Sequence, residues 1–399
     1  MKTAAAPLPI ARTEGTRLYL SDGHVLVDGI ASWWTACHGY NHPHILAAMR
    51  AQLETMPHVM LGGLAHEQAY TLAARLAKLL PGDLNHIFFA ESGSVSVEIA
   101  MKMAVQFHLN RGERGRTRFL AFRGGYHGDT FAAMSVCDPE EGMHAMFAGV
   151  APAQHIADLP RDEESEAALD ALLARYAEEI AAIIVEPLVQ GAGGMLFHDA
   201  VVLQRLRRLA DKHGMLLIFD EIFTGFGRTG SLFAMEQAGV TPDIVTLSKA
   251  LTGGAAPLSA AIASTRIFDA FLSDDPAHAL MHGPTYMGHA LGCAAANASL
   301  DLFERGEWQA NVARISTRLA EGLAPCRNLP GVRDVRVRGA IGVVELEAPP
   351  NYAALTAAFV GRGVWIRPFN KIVYLTPAFI ASDDDVAKLT SAITAVLAP

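Results

Sequence analysis

Through the middle of the chain, short and nearly continuous apolar runs alternate with segments whose apolar residues recur at helical spacing. Runs that lack polar alternation suit strands buried on both faces, as in a mostly parallel sheet covered by helices on each side. The predicted strands are His86 to Ala90, Arg118 to Phe122, Ala181 to Glu186, Met215 to Asp220, Asp243 to Leu247 and Leu258 to Ser264. Between them, Val95 to Leu109 and Val201 to His213 read as helices. In the second, Val201, Leu203, Leu206 and Leu209 oppose the basic Arg205, Arg207, Arg208 and Lys212. Two segments, Val136 to about Glu164 and Ser273 to His289, show no period; long loops inside a compact domain tend to carry function. A further helix runs from Gly292 to about Arg305, and a smaller unit follows, with strands near Val332 to Arg338, Ile341 to Glu347 and Ile372 to Thr376. The fold class is α/β: a mostly parallel central sheet with helices on both faces, plus a smaller α+β domain. The expected division is an N-terminal segment, 1–45, belonging with the small domain, a large domain at 46–304 and a C-terminal small domain at 305–399.

With 51% apolar and 18% charged residues, the 399-residue chain has ample material for a core. No apolar run approaches the roughly eighteen residues of a membrane span, and Pro7 and Pro9 break the only stretch that imitates a leader. A cytoplasmic enzyme is the expectation. The net charge of −9 is spread along the chain, so neither nucleic acid nor a membrane surface is an expected partner. Cys37, Cys137, Cys293 and Cys326 lie far apart without a CxxC pair and read as reduced, packed thiols.

In an open parallel sheet, ligands bind beyond the carboxyl ends of the strands, so polar residues that end apolar runs are the first candidates. Asp220 closes the run Met215 to Phe219, where a carboxylate is costly without a partner. Alone it reads equally as a helix cap or a structural ion pair. Lys249 follows the next strand in Ser248-Lys249-Ala250-Leu251-Thr252-Gly253-Gly254. A lysine shielded by small and apolar neighbours can lose its proton and act as an amine nucleophile, as Schiff-base formation requires, although a single lysine is more often a snorkelling side chain. Gly93 and Ser94 open a helix directly after a strand, a place where free backbone N–H groups can cup a phosphate. Gly225-Phe226-Gly227-Arg228-Thr229-Gly230 matches G-x-G-x-x-G, but it does not follow a strand directly and lacks a strand-ending acid about twenty residues on; a nicotinamide site is not expected. His38, His42 and His44 sit in a turn-like context without ligand spacing, and no metal is expected.

Taken together, Asp220, Lys249 and the Gly93-Ser94 cup have the order seen in fold-type I pyridoxal-phosphate enzymes. The segments Asp220-Glu221-Ile222-Phe223-Thr224-Gly225-Phe226-Gly227-Arg228-Thr229-Gly230 and Ser248 to Gly254 resemble the signature of class III aminotransferases. Further words, among them Ser32-Trp33-Trp34, His38-Gly39-Tyr40-Asn41-His42-Pro43, Gly124-Gly125-Tyr126-His127-Gly128-Asp129-Thr130, His282-Gly283-Pro284-Thr285 and Val364-Trp365-Ile366-Arg367-Pro368-Phe369, resemble the biotin-pathway branch of the class. The resemblance covers nearly the whole chain.

It implies a transferase that binds pyridoxal 5'-phosphate through Lys249, with Asp220 facing the pyridinium nitrogen, Tyr126 stacked on the ring and Glu186 supporting the pocket. Gly93, Ser94, Pro284 and Thr285 would hold the phosphate side, Thr285 from the second subunit of a homodimer whose active sites lie at the subunit interface. Trp33, Trp34, Tyr126, Asp129, Arg228, Lys249, Gly283, Arg367 and Phe369 would shape the substrate pocket, with Arg367 suited to a carboxylate. The implied reaction moves the amino group of S-adenosylmethionine to 8-amino-7-oxononanoate, giving 7,8-diaminononanoate. Lysine as donor, or another ω-amino acid or diamine transamination, is the alternative. Members of the branch begin with a His-Pro-Tyr-Thr segment whose tyrosine meets the substrate. This chain reads Met1-Lys2-Thr3-Ala4-Ala5-Ala6-Pro7 there, so either the natural start differs or another group takes that part.

Overall fold

The computed structural model describes residues 7–140, 147 and 149–398; the N-terminal departure just noted falls mostly on residues 1–6, outside them. The chain opens with three short strands, β1 (Ile10–Glu14), β2 (Arg17–Leu20) and β3 (Val25–Asp28). Four strands of the central sheet follow: β4 (Leu84–Ala90), β5 (Arg118–Phe122), β6 (His155–Ala157) and β7 (Ile180–Val185). After a two-residue-per-strand hairpin, β8 (Val189–Gln190) and β9 (Leu196–Phe197), come β10 (Leu216–Asp220), β11 (Ile244–Leu247) and β12 (Ser259–Ser264). The last four are β13 (Val332–Arg338), β14 (Ile341–Leu346), β15 (Val364–Trp365) and β16 (Ile372–Leu375).

The central sheet has the order β4-β12-β11-β10-β7-β5-β6. Only β12 runs against its neighbours; the contacts β11–β10, β10–β7, β7–β5 and β5–β6 are parallel. Successive residues of the buried strands serve opposite faces, as the pleat requires. Phe119, Ala121, Leu216 and Ile218 pack with the helix Gly93–Asn110. Leu120, Phe122, Leu217 and Phe219 pack in the other core, with Leu72 and Leu76 of the helix Glu67–Leu79 and Leu206 and Leu209 of Ala200–His213. Two buried faces explain why these strands read as unbroken apolar runs. The first aperiodic segment contains, among the described residues, β6 and the start of the helix Glu163–Arg175; the second contains only the short turn Pro276–His278.

A second sheet joins the two ends of the chain: β15 lies parallel to β3, with Val364 opposite Val27 and Trp365 opposite Asp28. β13, β14 and β16 form a separate antiparallel sheet. The two ends of the chain thus meet next to the carboxyl edge of the central sheet, where Asp220 and Lys249 lie.

Candidate active site

Asp220 is the last residue of β10. Following Leu216 and Ile218, it points to the face covered by the helix Gly93–Asn110. The N-terminus of that helix follows β4, so its first turn lies at the same sheet edge as Asp220. Both carboxylate oxygens of Asp220 have partners: Oδ2 accepts from His127 Nδ1 at 2.7 Å, and Oδ1 from Thr246 Oγ1 at 3.2 Å and the Ile222 amide at 3.1 Å. Asp220 and His127 are buried, which makes this charge-assisted contact strong and fixes the N–H of the imidazole on Nδ1.

Lys249 begins the turn after β11 with φ +49°, an unusual conformation for a residue with a side chain, and it lines the same cavity as Asp220. Its ammonium lies 4.2 Å from the centre of the Trp34 ring and 5.9 Å from that of Phe223. Burial lowers its pKa to about 8, against the opposing pull of Asp220, Glu186 and Asp129. At pH 7 roughly a tenth of it is therefore an unprotonated amine, far more than for a free lysine.

Trp34, Gly93, Ser94, Tyr126, His127, Glu186, Asp220 and Lys249 line one cavity of about 160 Å³. A wider charged cleft of about 900 Å³, between Arg123 and Lys371, holds neither Lys249 nor Asp220; the chemistry singles out the smaller space. Glu186 accepts the Tyr126 and Gly191 amides at 3.0 and 2.9 Å, and burial pushes its carboxyl up to about 7. The Tyr126 hydroxyl donates to Asp129 at 2.8 Å, and the Asp129 amide donates to Ser94 Oγ at 3.0 Å, tying the Tyr126 loop to the helix start. A Cβ on Gly128, at φ +132°, would strike the Ser94 backbone, so that approach requires glycine, and one on Gly93 would press on the end of the Ile222 side chain at 2.9 Å.

These groups fit pyridoxal phosphate: an amine of lowered basicity, a buried carboxylate held by an imidazole, and a helix N-terminus, capped at the Val95 amide by Ser92, whose first turn and Ser94 hydroxyl can meet a phosphate. The buried Trp34 Nε1 has no partner among the described residues and leaves one more donor on the wall.

Other expected residues lie next to the cavity or apart from it. Trp33 is largely exposed, with the Arg367 guanidinium 4.9 Å from its ring centre. The Phe369 ring lies 5.5 Å from Tyr374, which is 6.2 Å from Trp34. Gly283, Pro284 and Thr285 do not reach the cavity within one chain; they sit in a largely exposed loop anchored where His66 Nε2 donates to the Gly288 carbonyl at 2.8 Å. Arg228 does not line the cavity either. It is fully buried, donates to the Pro377 and Ala340 carbonyls at 2.8 and 3.3 Å and lies 4.6 Å from the Phe379 ring, so its expected direct place in the substrate pocket does not follow from its position. His127 is the functional candidate that sequence reasoning passes over. It stands inside the Tyr126-His127-Gly128 word, but its partner is ninety-three residues away in sequence. His38, His42 and His44 turn to separate partners: Ser299, the His44 amide and Asp301.

The chain belongs to the class-III aminotransferase family, whose model matches residues 1–397. It is a pyridoxal-phosphate aminotransferase of fold-type I. It is 47% identical over 373 residues to the adenosylmethionine-8-amino-7-oxononanoate aminotransferase of Mycobacterium leprae, covering 93% of this chain and 85% of that one. To the enzyme of the same name from Corynebacterium glutamicum it is 45% identical over 393 residues, covering 97% and 93%. Among solved structures, the adenosylmethionine-8-amino-7-oxononanoate aminotransferase of Methanocaldococcus jannaschii superposes with a TM-score of 0.94 at 30% identity, over 98% of this chain and 93% of the other. An amine transaminase of an uncultivated Pseudomonas species, solved with pyridoxal phosphate bound, gives 0.92 at 33% identity, over 99% and 96%.

Proposed function

We infer that this chain transfers the amino group of S-adenosylmethionine to 8-amino-7-oxononanoate, giving 7,8-diaminononanoate for biotin synthesis. The observation that carries this reading is the likeness to two enzymes of that name at 45% and 47% identity across more than nine-tenths of the chain. The site geometry is compatible with it.

Pyridoxal phosphate, when bound, supplies an electron sink next to the carbon that loses or gains a proton. Lys249 is the residue that would hold it covalently and that would carry the proton to and from the substrate carbon. Its lowered basicity suits both tasks. Asp220, kept oriented by His127, would hold the ring nitrogen protonated. The Gly93 and Ser94 end of the helix takes the phosphate, with Pro284 and the partner subunit's Thr285 closing that side. Tyr126 would cover the ring, and Glu186 fixes the Tyr126 backbone. Trp33, Trp34, Asp129, Gly283 and Phe369 shape the substrate space, and Arg367 binds the far carboxylate of the keto acid through its planar fork. Arg228 acts on that space only through the elements it braces.

The working form is a cytoplasmic homodimer. The exposed Met60, Tyr70, Met281 and Tyr286, in segments joined by the His66–Gly288 contact, supply an apolar surface suited to a second copy. Residues 1–45 and 305–399 act as a small domain against the large domain at 46–304. No helix among the described residues is long and apolar enough to cross a membrane.

The test is direct. Purified protein with bound cofactor is given 8-amino-7-oxononanoate and either S-adenosylmethionine or lysine, and 7,8-diaminononanoate is measured by mass spectrometry. Product with S-adenosylmethionine alone supports the assignment, product with lysine alone changes the donor, and no product with either donor sinks it. The likeness to an amine transaminase at 33% identity favours simple amines as the next donors to try.

A further inference from the structure

The two tryptophans of the substrate side are presented by a backbone conformation that their own residue types disfavour. Ala31, Ser32, Trp33 and Trp34 have φ of 45°, 46°, 53° and 72°, four successive left-handed residues without a glycine. Such residues cost roughly 1–2 kcal/mol each, so surrounding contacts must hold the turn in place. The turn nevertheless sets two contacts of the site: Trp34 under Lys249, and Trp33 under Arg367.

The group best placed to hold it is Asp28. It is buried at the end of β3, and no arginine, lysine or histidine forms an ion pair with it among the described residues. Its carboxylate instead accepts three donors from the turn and its support: the Ile30 amide at 2.8 Å, the Ser32 amide at 3.1 Å and the Tyr40 hydroxyl at 2.6 Å. The Tyr40 hydroxyl also meets Ser32 Oγ. A buried carboxylate without a cation is costly, and here its oxygens are spent on the amides that open the left-handed stretch. Asp28 also lies opposite Trp365 in the β3–β15 pair, two residues before Arg367, so one strand end fixes both sides of the Trp33–Arg367 contact.

We propose that Asp28 is a positioning residue for substrate recognition: by clamping the left-handed turn it sets Trp33 and Trp34 where the substrate carboxylate arm and Lys249 meet them. The inference rests on the substrate reading given above, and its test therefore includes a readout that needs no substrate.

Asp28→Asn removes one acceptor while keeping the shape. It should raise KM for 8-amino-7-oxononanoate about tenfold, the equivalent of one lost charge-assisted hydrogen bond, with kcat little changed. The near-ultraviolet circular dichroism of the cofactor-free protein should lose tryptophan intensity at the same time. Adding Ser32→Gly, which lowers the cost of the left-handed backbone at an exposed position, should recover much of both signals. If Asp28→Asn does not fold, Tyr40→Phe removes a single donor to the same carboxylate and should move KM and the spectrum in the same direction by about threefold and in part, respectively. A wild-type spectrum and KM in Asp28→Asn, or in Tyr40→Phe where that variant stands in, would overturn the proposal, as would a raised KM that Ser32→Gly leaves unchanged. Failure of the wild-type protein to use the keto acid strikes the functional reading instead, while the dichroism arm still decides the role of Asp28.

Discussion

Replacing Lys249 with methionine should make the cofactor-free protein more stable while abolishing transamination. The structure sets the size of the gain. A lysine pKa that falls from 10.5 to about 8 through burial corresponds to a folding cost of roughly 3 kcal/mol at 1.36 kcal/mol per tenfold step. That figure is a ceiling, because the side chain keeps some exposure onto the cavity. Methionine has a similar length, so packing changes little, but it gives up the ammonium contact 4.2 Å from the Trp34 ring, worth about 1 kcal/mol. The net expectation is about 2 kcal/mol in favour of Lys249→Met at pH 7. The pH dependence follows from the sign. Because the folded pKa lies below the unfolded one, the cost is fully present below about pH 8 and fades as pH rises toward 10.5. The advantage of the variant should therefore shrink across that window. Chemical unfolding of cofactor-stripped wild type and Lys249→Met at pH 7 and pH 10 measures it, since other titrating groups largely cancel in the difference. No gain at pH 7, or a gain that does not shrink by pH 10, would refute a desolvated lysine at this position.

Arg367→Ala should raise KM for the keto acid on the order of tens-fold with kcat nearly intact, because the guanidinium holds a carboxylate remote from the reacting carbon; Arg367→Lys should recover only part. Initial-rate kinetics on both substrates decides it, and an unchanged KM would move the carboxylate site elsewhere. Glu221→Ala should cost about 3 kcal/mol or more, read as a lower unfolding midpoint, because Glu221 accepts the Ala234 and Met235 amides and the Thr224 hydroxyl at 2.8, 2.8 and 3.0 Å in a fully buried position. A midpoint equal to wild type would show that the loop after Asp220 holds itself.

The central sheet was legible because its inner strands β7, β10, β11 and β12 are buried on both faces, and unbroken apolar runs between amphipathic helices have few other solutions. Arg118 to Phe122 and Val332 to Arg338 match the observed strands residue for residue. The opposite direction of β12 left no mark, since an apolar run is the same pattern either way. β1 and β2 are short and partly exposed, and nothing in Ile10 to Leu20 separates them from loop. At the site, Lys249 and Asp220 could be found because each ends or follows a buried strand, where charge is out of place. His127 could not, because its role exists only through a contact made in space. Arg228 illustrates the converse: its word in sequence lies near the chemistry, but its side chain turns into the core. Asp28 looks in sequence like any strand-end acid, and a left-handed turn of alanine, serine and two tryptophans runs against local preference; only the folded contacts reveal it.

Asp220 and Glu221 are adjacent acids with unrelated duties, one facing the cavity and the other pinning the loop that follows. Glu221 follows the last residue of β10 with its amide still bonded to the Thr246 carbonyl at 3.0 Å, so the alternation of the pleat reaches it and the two side chains point to opposite sides. A single-residue deletion within β10 would therefore exchange their surroundings, sending the loop anchor toward the pocket and the pocket acid into the loop. The length of β10 up to Asp220 is thus closed to the small changes that surface loops accept, and redesign of this scaffold has to take its insertions elsewhere.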